Sequence, residues 1–187
     1  EVVAADEGDT ERQRLNFWGT LALLRCAASS PLAAVLALRT RAGEDLGPEA
    51  REEMLDQVFD GDSDALVADD VEPPLGGDDP ALVSLIEQAE RLAGTGDPKL
   101  NLVSEHVAQV VGEGFNVIVF CRFIATAHYV GRYLKDNLNS ATIAVITGEM
   151  QSEERQEMVA KLGEIERNRV LVATECLPEG VNLQDFF

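Results

Sequence analysis

The sequence predicts an α/β chain in which a doubly wound parallel sheet occupies the C-terminal half and a helical annex precedes it. Three short apolar runs rich in β-branched residues carry the first part of that prediction: NVIVFC at 116–121, ATIAVIT at 141–147 and RVLVAT at 169–174. None alternates with polar residues, the pattern of strands covered on both faces. The runs are separated by stretches of helical period, Ala127, Val130, Leu134 and Leu138 in one and Met158, Val159, Leu162 and Ile165 in the next. Crossovers of that length connect parallel neighbours, and right-handed connections then put helices on the two faces of the sheet.

The annex is justified by its helix starts. Thr10 and Gln13 form a T-x-x-Q capping box ahead of Phe17, Trp18, Leu21, Leu24 and Ala28 at helical spacing. Ser30-Pro31 opens a second helix that runs to Gly43, and Gly47-Pro48 opens a third carrying Met54, Leu55, Val58 and Phe59. Gly61 to Asp79, rich in Gly, Pro and Asp, reads as an acidic loop or linker. Asp79-Pro80 and Asp97-Pro98 then begin two more helices, the second leading into the first strand. The expected units are therefore an annex over 1–60, a linker over 61–79 and a sheet-bearing unit over 80–187.

Charge at first excludes a polyanion binder. The chain has 34 acidic side chains against 15 basic ones, a formal charge of −19, and affinity for nucleic acid comes largely from neutralised phosphates. The acidity is local, however. Residues 44–98 hold 17 acids and two arginines, residues 12–43 hold five arginines and no acid, and residues 99–187 hold 12 acids against eight bases. The sheet-bearing half is thus close to ordinary, and the acidic stretch is either a solvated insert or a mimic of nucleic acid. No apolar run approaches the ~20 residues of a membrane-spanning helix, and the N-terminus lacks the basic and apolar blocks of a signal peptide. Three cysteines, Cys26, Cys121 and Cys176, have no CxxC spacing, so neither a disulfide framework nor a zinc site is expected and a reducing cytoplasm is the default compartment. His106 and His128 have no Cys or His neighbour at ligand spacing, and no metal site is assigned.

Ligands of open parallel sheets collect where strand C-termini meet helix N-termini. Three such corners occur: Cys121-Arg122-Phe123; Thr147-Gly148-Glu149 with Ser152 as the expected N-cap and Arg155 one turn on; and Thr174-Glu175 followed by Pro178-Glu179-Gly180-Val181-Asn182. Backbone amides at helix starts, a glycine allowing close approach and nearby arginine or hydroxyl groups form a surface suited to a phosphate backbone.

Taken in series, NVIVFCRFIATAHYVGRYL, ITGEMQSEERQEMVAKL and RVLVATECLPEGVNLQ resemble the second RecA-type lobe of superfamily-two helicases, over residues 97–187. The ending EGVNLQ is similar to the bacterial Swi/Snf-related branch, which includes the HepA/RapA-like ATPases. LLRCAASSPLAAVLALRTR at 23–41 resembles, less specifically, the helical insertion before that lobe. The resemblance implies a RecA-like doubly wound sheet, incomplete in this chain, from an ATP-dependent nucleic-acid translocase. It implies contacts to the sugar–phosphate backbone of DNA or RNA from Arg122, Gly148, Arg155, Thr174 and Glu175. It places Glu179, Gly180 and Asn182 at the cleft facing the N-terminal RecA-like lobe of the parent, where ATP and Mg2+ bind.

The sequence departs from a complete enzyme of that kind. It has no GxxxxGK[ST] loop, no DEAH-like acidic motif after a strand and no arginine-rich motif after Asn182. The expectation is a truncated fragment with no catalytic residue of its own, inactive alone, from a bacterial, cytoplasmic and nucleoid-associated protein. A strand lost from the sheet would leave an unpaired edge and favour a homo-oligomer. The contrasting expectation is a non-catalytic acidic α/β interaction module that mimics nucleic acid.

Overall fold

The computed structural model describes residues 21, 23–42, 80–174, 183 and 187. The capping box at Thr10, the helix expected from Gly47, the acidic linker and the positions Glu175, Glu179, Gly180 and Asn182 lie outside the described residues.

Residues 23–29 are helical and lead through Ser30 into α1, Pro31–Ala42. Ser30 starts α1 by accepting the Ala33 N–H on its hydroxyl at 3.2 Å, with proline at the first helical position. α2, Pro80–Leu92, lies against α1 through Ala34, Val35, Ile86 and Ala89. An Arg39–Glu90 ion pair of 2.6 Å joins the same two helices but is largely exposed, so it contributes little beside the apolar contact. By packing, α2 therefore groups with the annex helix.

α3, Pro98–Gly112, begins as the sequence indicates. Asp97 has extended backbone, and one of its carboxylate oxygens accepts the N–H groups of Lys99 at 2.9 Å and Leu100 at 3.1 Å. The helix stops at Gly114, whose φ of +93° only glycine adopts cheaply. The Phe115 N–H reaches back to the Val110 carbonyl at 3.2 Å and the chain turns into the sheet.

β1 (Val117–Phe120), β2 (Thr142–Ile146) and β3 (Arg169–Ala173) form one parallel sheet in the order β1-β3-β2. Helix α4, Ile124–Asn137, connects β1 to β2, and α5, Ser152–Gly163, connects β2 to β3. The first connection skips a strand position and the second returns. Crossovers of one hand running in opposite directions place their helices on opposite faces, and the side chains divide accordingly. Val117, Val119, Ile143, Val145, Val170 and Val172 pack with Leu100, Val107, Val111, Val130 and Leu134 of α3 and α4. Ile118, Ala144, Ile146, Leu171 and Ala173 pack with Val159 and Leu162 of α5, joined by Leu183 and Phe187. The expected doubly wound layering is present.

Two details differ from the sequence reading. Only β3 is buried along nearly its whole length; β1 and β2 are half-buried and Phe120 is 61% exposed. An apolar run reports hydrophobicity, whereas full burial also requires a neighbour on each side, which among the described residues only the central strand has. Ser152 is the first helical residue of α5 rather than its N-cap. The cap position falls on Gln151, which makes no side-chain capping bond, consistent with the preference for shorter polar side chains there.

Candidate nucleic-acid interface

The register fixes which turns meet. Ala173 of β3 is level with Phe120 of β1 and Ile146 of β2. Pairing extends one residue further, Cys121 N–H donating to the Ala173 carbonyl at 2.8 Å and Thr174 N–H to the Ile146 carbonyl at 3.1 Å. Arg122, Gly148 and Thr174 therefore leave the sheet along one edge, with Thr174 on the central strand. The other edge is closed by side chains. Asn116 accepts the Arg169 N–H, Asn168 donates to the Val111 carbonyl at 2.7 Å, and Arg169 donates to the Leu162 and Gly163 carbonyls at the end of α5.

Within the first edge the expected residues differ in availability. Arg122 is exposed and Gly148 half-buried. Thr174 is fully buried, backbone and side chain alike. Arg155 is half-buried on α5, its N–H donating to the Gln151 carbonyl. Glu175, Glu179, Gly180 and Asn182 lie outside the described residues.

A clamp that the sequence reading missed holds the first two corners together. One carboxylate oxygen of Glu149 accepts the Thr147 hydroxyl at 3.2 Å and lies 3.1 Å from His128 Nε2 on α4. The Met150 N–H to Thr147 carbonyl bond, 3.2 Å, closes the same turn. His128, to which the sequence assigns no metal role, lies opposite Glu149 and links the first turns of α4 to the Gly148 turn. Glu149 is exposed in this turn, and its carboxylate would repel a phosphate.

The annex meets the lobe beside Arg122. Lys99 donates to the carbonyls of Ala28 and Ser29 at 2.8 and 2.9 Å, placing its ammonium at the end of helical segment 23–29, where a cation is favoured. Thr126 in the first turn of α4 shares hydrogen bonds with the hydroxyls of Ser29 at 2.8 Å and Ser30 at 2.9 Å. Cys26, Ala33, Phe123 and Ala125 form a small buried cluster at the junction.

Three buried or part-buried acids here are neutral at ordinary pH. Burial pushes the Cys26 thiol up to about 11, and the Cys121 thiol to about 11 despite the opposing charge of Lys99. Tyr129 rises to about 12, chiefly through burial and against the donating Gly94 N–H, with the Asp97 carboxylate adding to the rise. Below pH 9 these groups are protonated in both folded and unfolded chains. As pH climbs from about 9 to about 11 the unfolded thiols ionise first, so the unfolded chain loses protons the folded one keeps and stability falls. Tyr129 extends the loss from about 10 to about 12. Urea midpoints measured from pH 8 upward should decline through this window, and a Cys26→Ala/Cys121→Ala variant should decline less between 9 and 11. Parallel profiles for variant and parent would refute the assignment.

The layering and the register define the class: a doubly wound α/β domain. Residues 98–186, just under half of the chain, match the family model described as helicase conserved C-terminal domain. That match supports a superfamily-two helicase C-terminal lobe of RecA-like fold for these residues. No curated protein and no solved structure matches the chain. Among the described residues no helix is long and apolar enough to cross a membrane.

Proposed function

We propose that this chain supplies the C-terminal lobe of a nucleic-acid-dependent ATPase of the bacterial Swi/Snf-related kind, HepA/RapA-like, working in the cytoplasm on the nucleoid. One strand of DNA or RNA would run along the edge formed by Arg122, Gly148 and Thr174, with Arg155 and Glu175 at its margin. The observation that carries this reading is the convergence of three strand ends at one level, in a stretch matching a helicase C-terminal domain. The Gly148 turn leading into α5 and the guanidinium of Arg122 are the groups such an edge offers to phosphates.

The sequence has no phosphate-cradling GxxxxGK[ST] loop, so this chain's own residues do not fit the triphosphate and no hydrolytic step is derived from them. ATP and Mg2+ would be held by a companion N-terminal RecA-like lobe, with Glu179, Gly180 and Asn182 facing the shared cleft. The contribution of this lobe is grip on the strand, which alternates as the two lobes open and close.

The test is a salt series of binding to a fluorescent single-stranded oligonucleotide. Replacing Arg122 by Gln should weaken binding and lower the slope of log K against log salt by about 0.7, the share of one phosphate contact on a single strand. Equal slopes for the two proteins would remove Arg122 from the interface. Capture of a basic protein in place of any oligonucleotide would favour the acidic-mimic alternative.

A further inference from the structure

A cavity of about 630 Å3 opens where segment 25–30 of the annex, the start of α3, the end of β1 and the first turns of α4 meet. Among the described residues three cations line it, Arg25 from the annex and Lys99 and Arg122 from the lobe, against one acid, Asp97. In a chain with 34 acids and 15 bases that balance is inverted. The single acid is also committed: it accepts two backbone N–H groups at the start of α3 on one oxygen and the Tyr129 hydroxyl at 3.2 Å on the other. Lys99 is likewise committed, to the carbonyls of Ala28 and Ser29. Arg25 and Arg122 are exposed, and among the described residues neither has an ion pair or hydrogen bond.

The rest of the lining is chemically mixed. Hydroxyls of Ser29, Ser30 and Thr126 form a hydrogen-bonded cluster on one wall. Leu100, Val103, Val119 and Val130 supply apolar surface on another. The volume lies within the usual range of small-molecule pockets, about 300–1,000 Å3, and far exceeds what one inorganic anion would fill. A ligand complementary to this lining carries an anionic group for the two arginines, polar groups for the hydroxyls and a flat or apolar body for the valine and leucine side.

We propose that this annex–lobe pocket binds a nucleoside phosphate, its phosphate held between Arg25 and Arg122 and its nucleoside against the apolar wall. The ligand is either a nucleotide of the strand lying on the adjacent edge or a free nucleotide; the first source rests on the nucleic-acid reading above and the second does not. The pocket assigns the annex a binding role, since Arg25 lies outside the helicase-like stretch at 98–186.

The experiment titrates the full chain with adenosine monophosphate and, separately, with a 5′-phosphorylated oligothymidylate. It compares the parent with Arg25→Gln, Arg122→Gln and, as a control on the exposed far end of α4, Lys135→Gln. Loss of one charged hydrogen-bonding partner should weaken adenosine monophosphate about tenfold in each arginine variant and leave Lys135→Gln unchanged. Because Arg25 is exposed, Arg25→Gln should keep the parent's melting temperature. If the strand source holds, Arg25→Gln also weakens the oligonucleotide, and the two ligands compete. Strand binding that depends on Arg122 but not on Arg25, without nucleotide binding, overturns the pocket and leaves the edge reading intact. Nucleotide binding without strand binding supports the pocket and defeats the edge reading. Binding of neither ligand, or equal binding by all four proteins, overturns the pocket.

Discussion

Gly131→Ala should destabilise the fold, although alanine is the better helix former. Gly131 is buried in α4 where the helix backbone presses on β2, and a Cβ built there would collide with a methyl of Val145. Helix propensity alone favours alanine by about 1 kcal/mol. The clash is with a β-branched side chain on a strand, which cannot swing away as the tip of a lysine could. Either Val145 must leave its rotamer or α4 must lift from the sheet, an overpacking cost of about 1–3 kcal/mol. The cost should exceed the propensity gain, and Gly131→Leu should be worse. Combining Gly131→Ala with Val145→Ala isolates the contact: the double variant should be less destabilised than the sum of the singles. A single variant more stable than the parent would mean that α4 and β2 are not so close.

Leu171→Ala should cost about 2–5 kcal/mol, enough to consume much of a stability that is typically about 5–15 kcal/mol. Leu171 is fully buried in the middle of the central strand, between Ile118 and Ala144 in the register, and faces α5 with Ile146, Val159 and Leu162. Strands on both sides hold its backbone in place, so the hole left by the side chain can collapse only by moving α5. Leu102, 67% exposed on α3, is the internal comparison, and Leu102→Ala should change little. Urea unfolding followed by circular dichroism distinguishes the two. Similar small losses for both would show that Leu171 does not sit in a packed layer.

These packing relations mark the boundary of what the sequence discloses. Asp97-Pro98 announces the start of α3 because a cap acts within three residues, and the three apolar runs announce strands because hydrophobicity is a local property. Strand order is not local. Nothing in NVIVFC or RVLVAT states that the first lies at an edge and the second at the centre, so uniform burial was the natural expectation and only β3 meets it. The candidate site divides the same way. Arg122 and Gly148 follow from the rule that turns after parallel strands gather at one edge, and the register brings them level. Thr174 follows from the same rule, yet at the end of the central strand the residue is fully buried.

Arg25 and Lys99 were out of reach for a different reason. The contact that seats the annex on the lobe, Lys99 to the Ala28 carbonyl, spans 71 residues, and no pattern within either segment encodes it. His128 was out of reach in the same way: only the fold brings it opposite Glu149. The count of five arginines and no acid in residues 12–43 gave the annex a positive charge, but not the place of any one arginine in the fold.

The central claim is that a nucleic-acid strand lies on the edge where β1, β2 and β3 end. Photo-crosslinking of a 4-thiothymidine oligonucleotide to the chain, with the modified peptides mapped by mass spectrometry, tests it most directly. The account predicts adducts concentrated in the turns at 121–123 and 147–151. Adducts concentrated at the opposite edge, in 113–116, 138–141 and 163–168, or distributed evenly along the chain, would contradict it.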